Sequence, residues 1–120
     1  MPAYRVRGHI WIDRQGGGPF LGPGRIALLQ KIDELGSIRA AAKALNMSYR
    51  RAWRHVEALN REAPSPLIIT SIGGKGGGGA TLTPAGYAVL EIFARLEKSF
   101  QRFLEEKTKD IQEELSHIHP

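Results

Sequence analysis

The spacing of apolar side chains along the chain predicts four helices. In the first, apolar residues recur every three positions between Pro23 and Gly36. Proline suits the first turn of a helix, and glycine ends helices by adopting the left-handed conformation. The apolar face of this helix is formed by Ile26, Leu29, Ile32 and Leu35.

A short second helix and a longer third helix are separated by a tight turn. Ser37 is a predicted N-cap for residues 38–45, and Asn46 suits the left-handed conformation of a turn. Ser48 caps the third helix, which is predicted to end near Glu62, before two prolines. Small side chains allow the second helix to cross the third at close range. They are Ala41, Ala42 and Ala44.

Alternating apolar and polar residues predict two β-hairpins. Residues 4–13 alternate, Gly16–Gly18 form a turn and residues 19–21 return, which predicts a hairpin over residues 4–21. The β-branched residues 67–72, the glycine-rich residues 73–79 and residues 80–82 predict the second hairpin. Thr83 then caps a long fourth helix, with Pro84 in its first turn and an end near residue 115.

This order of elements predicts a mainly α-helical fold with a small β component (α+β), a winged helix-turn-helix. We assign residues 1–83 to the winged helix-turn-helix DNA-binding domain, including the N-terminal hairpin. Residues 84–120 are the long C-terminal dimerisation helix of the same domain.

The fourth helix carries apolar residues at alternating steps of four and three, which is typical of a helix-pairing seam. The predicted dimerisation residues are Val89, Phe93, Leu96, Phe100 and Phe103. Leu90 and Ile92 flank this seam and are expected to pack on the winged domain. The alternative is a helix folded back along its own domain. About 30 residues at 1.5 Å each span roughly 45 Å, which is long for that arrangement.

The third helix separates its apolar and basic residues. Tyr49 and Trp53 lie on the apolar side, where we expect both to anchor the helix to the core, with the Tyr49 hydroxyl near DNA. The opposite side carries Arg50, Arg51, Arg54 and Arg61. Arginine reads guanine bidentately and also binds phosphate, so this side predicts DNA recognition. The alternative is a solvated basic face without a partner.

The net charge agrees with a polyanionic partner. The chain carries +5, and residues 97–120 carry −2, so residues 1–96 carry +7. Lys75 lies among six glycines, and we expect Lys75, Gly76 and Gly77 to follow a DNA backbone. Nucleotide binding is disfavoured, because this loop joins two strands and lacks a Lys-Ser/Thr pair.

Other function classes find little support in the sequence. The chain has no cysteine, and its four histidines are scattered without metal-ligand spacing. No apolar run approaches the roughly 20 residues of a membrane span. We therefore expect a cytoplasmic protein that is not an enzyme, needs no cofactor or metal and does not contact a membrane.

Four segments together resemble the N-terminal domain of the ModE family, the molybdate-responsive regulators with a LysR-type helix-turn-helix. They are Gly22–Ile26, Gly36–Ile38, Ser48–Trp53 and the glycine loop Gly73–Ala80. The resemblance covers about residues 5–105. It implies a homodimer joined through the long helix, with recognition helices in successive major grooves of double-stranded DNA. It places Ser48 and Tyr49, with the arginines at 50, 51 and 54, on the DNA-facing helix.

The resemblance also bears on the effector. Family members that sense molybdate directly carry it in additional C-terminal domains, whereas this sequence ends at Pro120. We therefore expect the stand-alone DNA-binding form, without tight molybdate binding and with an unknown effector. The favoured function is sequence-specific transcriptional regulation, with target genes related to molybdate or another oxyanion. The alternative is an interaction module that binds RNA or a protein.

Overall fold

The computed structural model describes residues 4–72 and 78–119. Over these residues the chain forms two antiparallel two-stranded sheets and four helices. In chain order they are β1 (Ile12–Asp13), β2 (Pro19–Leu21), α1 (Pro23–Leu35), α2 (Ile38–Ala44), α3 (Tyr49–Glu62), β3 (Ile68–Ser71), β4 (Gly79–Leu82) and α4 (Pro84–Ser116). The predicted winged helix-turn-helix fold is confirmed.

The predicted start and end of α1 are confirmed, but one member of its apolar face is not. Gly36 has a φ of 71°, and its N–H donates to the Ile32 carbonyl at 2.8 Å. Leu35 is 44% exposed, whereas Ile32 is fully buried. Each step of three residues turns a helix by 300°, so the three steps from Ile26 bring Leu35 to about the opposite side. Leu28 is buried instead.

The core lies between α1, α2, α3 and the first turns of α4. Ala41 and Ala42 are buried where α2 meets its neighbours, as the close crossing requires. Ala44 is exposed, so its predicted place in that contact is wrong. Phe93 of α4 completes the core and is 1% exposed.

The N-terminal hairpin is shorter than the sequence predicts. Its strands pair only at residues 12–13 and 19–21, and the preceding residues run along the distal half of α4. There the Val6 N–H donates to Thr108 Oγ1 at 2.9 Å, and the Tyr4 N–H donates to Gln112 Oε1 at 3.2 Å. Apolar alternation predicts one buried face, but it does not specify whether a strand or a helix covers that face.

The wing strands β3 and β4 lead directly into α4. Ile68 pairs with Leu82, and Ser71 pairs with Gly79. The Thr83 hydroxyl then accepts the Gly86 N–H at 3.0 Å, which confirms the predicted N-cap. The helix extends 33 residues, and the molecule measures 68 Å along its longest axis. Within residues 4–72 and 78–119, no helix is long and apolar enough to cross a membrane.

Candidate nucleic-acid interface

Two capped helices and a left-handed turn fix the helix-turn-helix. The Ser37 hydroxyl accepts the Ala40 N–H at 3.0 Å at the start of α2. The Ser48 hydroxyl accepts the Arg51 N–H at 3.1 Å at the start of α3. Asn46 has a φ of 53°, so the chain reverses within a few residues, as the sequence predicts. These contacts orient α3 before any partner binds.

The outer side of α3 is basic and unpaired over most of its length. Ala52, Val56 and Leu59 are buried on the inner side. The four arginines predicted for the outer side are all exposed. In the part of the chain that the structure describes, no carboxylate forms an ion pair with Arg50 or Arg54. Their guanidinium groups can therefore donate hydrogen bonds to a ligand.

Tyr49 lies at the surface and not in the core. Its ring is 39% exposed and meets the Trp53 ring edge-on, with centroids 6.3 Å apart. The Arg39 guanidinium of α2 lies 4.2 Å from the centre of the Tyr49 ring. The prediction that both aromatic residues are core anchors is wrong for Tyr49: only Trp53 packs against the core, and Tyr49 is exposed in the first turn of α3. Arg39 therefore adds a basic residue from α2 to the surface beside α3. The helical spacing of α3 does not predict it.

Asn60 fixes the wing to one flank of α3. Its Oδ1 accepts the N–H groups of Leu67 at 2.8 Å and Ile68 at 3.0 Å. Its Nδ2 donates to the Ile68 carbonyl at 3.0 Å. A cleft of about 330 Å³ lies between this hairpin and the helices, bordered by Arg39, Tyr49 and Trp53. The wing strands therefore stand at a fixed position beside α3, which is the predicted recognition helix.

The predicted contacts of Lys75, Gly76 and Gly77 with DNA lie outside the described residues.

A partly buried ion pair between Arg25 and Glu62 links the opposite flank of α3 to the N-terminal hairpin. Arg25 Nη1 donates to Glu62 Oε1 at 3.0 Å and to the Phe20 carbonyl at 2.8 Å. Arg25 Nε donates to His55 Nδ1 at 3.2 Å. Arg14, at the hairpin turn, lies 3.7 Å from the same Glu62 oxygen. The recognition helix therefore has a β-hairpin on each side.

The environment of His55 disfavours its protonated form. Burial lowers the pKa of His55 below its ordinary value of 6.5, and the charges of Arg25 and Arg51 lower it further. Nδ1 must also remain unprotonated to accept the Arg25 hydrogen bond. Protonation would place a third positive charge in this corner and break that bond.

Acidification is therefore expected to destabilise the wild-type chain more than a His55→Asn variant. An unfolded chain takes up this proton near pH 6.5, whereas the folded chain resists it until a lower pH. The stability due to His55 is complete above 6.5 and is lost as the pH falls toward the folded pKa. The asparagine side chain of the variant keeps an acceptor near the position of Nδ1 but cannot titrate. Urea unfolding at about pH 8 and about pH 5.5 measures the difference. Equal losses of stability in the wild type and in the His55→Asn variant would contradict this expectation.

The predicted dimerisation residues have different environments in a single chain. Phe93 lies in the core, and Val89 packs against that core, so neither needs a partner for its burial. Phe100 is half-buried beside Gly8 and stacks on Phe103, with ring centroids 6.3 Å apart. Leu96 and Phe103 are 41% and 51% exposed.

Ile92 extends the exposed part of this seam. It is 47% exposed, which corrects the expectation that it packs on the winged domain, whereas Leu90 does pack there. Ile92, Leu96 and Phe103 fall within about 40° on α4 at 100° per residue. We call these three residues the α4 stripe.

The fold and the basic outer face of α3 define this protein as a winged helix-turn-helix domain. Residues 24–87 match the bacterial regulatory helix-turn-helix proteins of the lysR family, and the chain belongs to that family. The resemblance to ModE-type regulators is also confirmed. The chain is 42% identical over 80 residues to the transcriptional regulator ModE of Haemophilus influenzae, covering 67% of this chain and 31% of that protein.

Two further comparisons extend this similarity. The molybdenum transport protein ModE of Azotobacter vinelandii is 36% identical over 96 residues, which cover 80% of this chain and 36% of that protein. The chain thus spans about a third of the length of the curated relatives it matches. The crystal structure of a CbnR DNA-binding domain in complex with DNA superposes with a TM-score of 0.56 at 25% identity. It covers 73% of this chain and 95% of that one.

Proposed function

We propose that this chain regulates transcription by binding double-stranded DNA in a sequence-specific manner, as a homodimer and without catalysis. The observation that carries the proposal is the row of exposed arginines on α3, rigidly presented and largely without acidic partners. A helix of 10–12 Å diameter fits the B-DNA major groove, which is about 12 Å wide. We place this action in the cytoplasm, because the DNA that a bacterial regulator binds lies there.

The residues proposed to contact DNA fall into two groups. Arg50 and Arg54 lie in the N-terminal half of α3, the part of a recognition helix that contacts base edges, and arginine reads guanine O6 and N7 bidentately. The remaining residues are proposed to position the domain on the sugar-phosphate backbone or at the ends of the site. They are Ser48, Tyr49, Arg51, Arg61, Lys75, Gly76 and Gly77, to which the structure adds Arg39.

Dimerisation is proposed to occur through the α4 stripe, together with Phe100 beneath it. Three large apolar side chains exposed on one side of a helix form a surface that a two-fold partner would cover. Two recognition helices would then meet successive major grooves about 34 Å apart. The expected mass by light scattering is twice that of one chain.

The regulated genes are proposed to concern molybdate or another oxyanion. The support for this is the name of a relative, the molybdenum transport protein ModE, and the sequence similarity to it. Recovering and sequencing the genomic DNA fragments that the purified protein retains would identify the operator. A set of fragments without a shared motif would contradict sequence-specific binding.

Replacing Arg54 by alanine is expected to weaken binding to the recovered operator by about 1–3 kcal/mol, because a bidentate base contact is lost. Binding to duplexes of unrelated sequence should weaken much less. Anisotropy titrations against both duplexes separate these effects. The matched control is Arg102→Ala, which removes an exposed arginine from α4.

Two results would count against this role for α3. One is equal operator affinity of the Arg54→Ala variant and wild type. The other is equal competition by an RNA duplex of the same sequence, because the A-form major groove is too narrow to admit the side chains of a helix.

A further inference from the structure

The two β-hairpins contact opposite flanks of the recognition helix. At 100° per residue, Glu62 and His55 lie about 80–100° from the centre of the arginine face. Asn60 and Tyr49 lie about 120–140° from it in the opposite direction. Glu62 contacts the β1–β2 hairpin through Arg14, and Asn60 contacts β3 of the wing. A ligand that meets the arginine face therefore has one hairpin on each side.

The turn of the β1–β2 hairpin is tight, exposed and rich in glycine. The Arg14 N–H donates to the Gly18 carbonyl at 2.9 Å, and the Gly17 N–H donates to the Arg14 carbonyl at 3.1 Å. Gly16 and Gly18 have φ values of 87° and 74°, so the turn itself requires glycine at both positions. Three successive glycines leave the tip without side chains.

In the same corner, three guanidinium groups surround a single carboxylate. The guanidinium groups of Arg14, Arg25 and Arg61 all lie within 4 Å of one carboxylate, that of Glu62. The side chains of Arg14 and Arg61 remain 47% and 71% exposed. The exposed Asp13 on β1 precedes Arg14 in the chain and is a further acid beside this corner.

We propose that the β1–β2 hairpin is a second wing, whose turn at residues 14–18 binds the DNA sugar-phosphate backbone. It would contact the edge of the major groove opposite to the edge met by the β3–β4 wing. This inference rests on the proposed DNA binding through α3. It follows from size: a helix of 10–12 Å diameter fills a groove about 12 Å wide, so elements on its two flanks meet the two phosphate ridges.

Gly17 offers a test that leaves the ion pairs of Glu62 intact. A Cβ at Gly17 would meet no atom within 4 Å, and its φ lies outside the positive range. On a duplex of arbitrary sequence spanning about three helical turns, Gly17→Lys is expected to bind about fivefold to tenfold tighter near 0.1 M salt, as expected for one added phosphate contact. Gly17→Asp should bind more weakly, and Gly17→Ser should bind like wild type.

Arg14→Ala is the complementary test, because it removes a positive charge from the hairpin turn. It is expected to weaken binding to the same duplex about fivefold to tenfold near 0.1 M salt and to reduce the salt slope by about 1. Arg95→Ala is the matched control, because it removes an exposed arginine of similar ion-pairing from α4. Circular dichroism melts of each variant check that the fold is retained.

The outcomes separate this inference from the proposed function. If Arg54→Ala weakens operator binding while the Gly17 variants and Arg14→Ala all bind like wild type, the second wing is refuted and DNA binding through α3 stands. If wild type binds neither operator nor arbitrary duplex, both proposals fail. Opposite shifts for Gly17→Lys and Gly17→Asp, with none for Arg95→Ala, support the second wing.

Discussion

Replacing Phe93 by alanine is expected to lower the free energy of unfolding by about 3–5 kcal/mol. The ring is 1% exposed and belongs to the core that α4 shares with the winged domain. Its removal forfeits the burial of an aromatic side chain and leaves a cavity that the surrounding helices can only partly fill. Because total stabilities are about 5–15 kcal/mol, this variant should be largely unfolded at modest urea concentrations. Urea unfolding followed by circular dichroism measures the loss.

The matched control is Phe103→Ala, ten residues further along the same helix. Phe103 is 51% exposed and contacts Phe100 of its own chain, so its removal should cost the isolated chain about 1 kcal/mol or less. We expect its effect in assembly instead. Light scattering should show that the variant dimer dissociates at a higher protein concentration than the wild-type dimer. Equal unfolding losses for both variants under dilute, monomeric conditions would show that their different burial is irrelevant.

Replacing Asn60 by alanine is expected to lower the free energy of unfolding by about 2–4 kcal/mol, because three hydrogen bonds of about 0.5–1.5 kcal/mol each are lost. The change also leaves two backbone N–H groups, of Leu67 and Ile68, without the acceptor they have in the folded chain. The wing would then lose its attachment to α3. We therefore expect weaker DNA binding even in variants that remain folded under the assay conditions.

Two variants control for this effect. Asn60→Asp keeps an acceptor for both N–H groups but places its second carboxylate oxygen against the Ile68 carbonyl, so it should keep only part of the wild-type stability. Gln30→Ala removes an exposed amide from α1 and should change stability by no more than about 0.5 kcal/mol. The proposed role of Asn60 would be contradicted by an Asn60→Ala variant as stable as Gln30→Ala.

Local chemistry made the helix-turn-helix predictable from the sequence. The N-caps Ser37, Ser48 and Thr83 each accept the hydrogen bond expected of them, since a cap depends only on residues three positions away. The left-handed turn at Asn46 and the end of α1 at Gly36 are local in the same sense. The arginine face of α3 followed from helical spacing alone.

Contacts between segments distant in sequence were not predictable in this way. Residues 4–8 lie along α4, about a hundred positions away, although their alternation predicts a longer hairpin. Asn60 lies on the apolar side of α3, where a partly buried amide needs partners, but the pattern does not indicate that β3 supplies them. Arg25 and Glu62 pair across 37 positions, a separation that no periodicity marks.

The sequence by itself determined the order of the elements, their caps and the basic face of the recognition helix, because hydrogen-bonded caps and helical periodicity act within a few residues. Only the tertiary structure decided which apolar residues of α4 are buried within the chain and which remain exposed. Phe93 and Phe103 carry the same side chain in the same helix, and only the packing of the winged domain against its first turns buries one and leaves the other exposed.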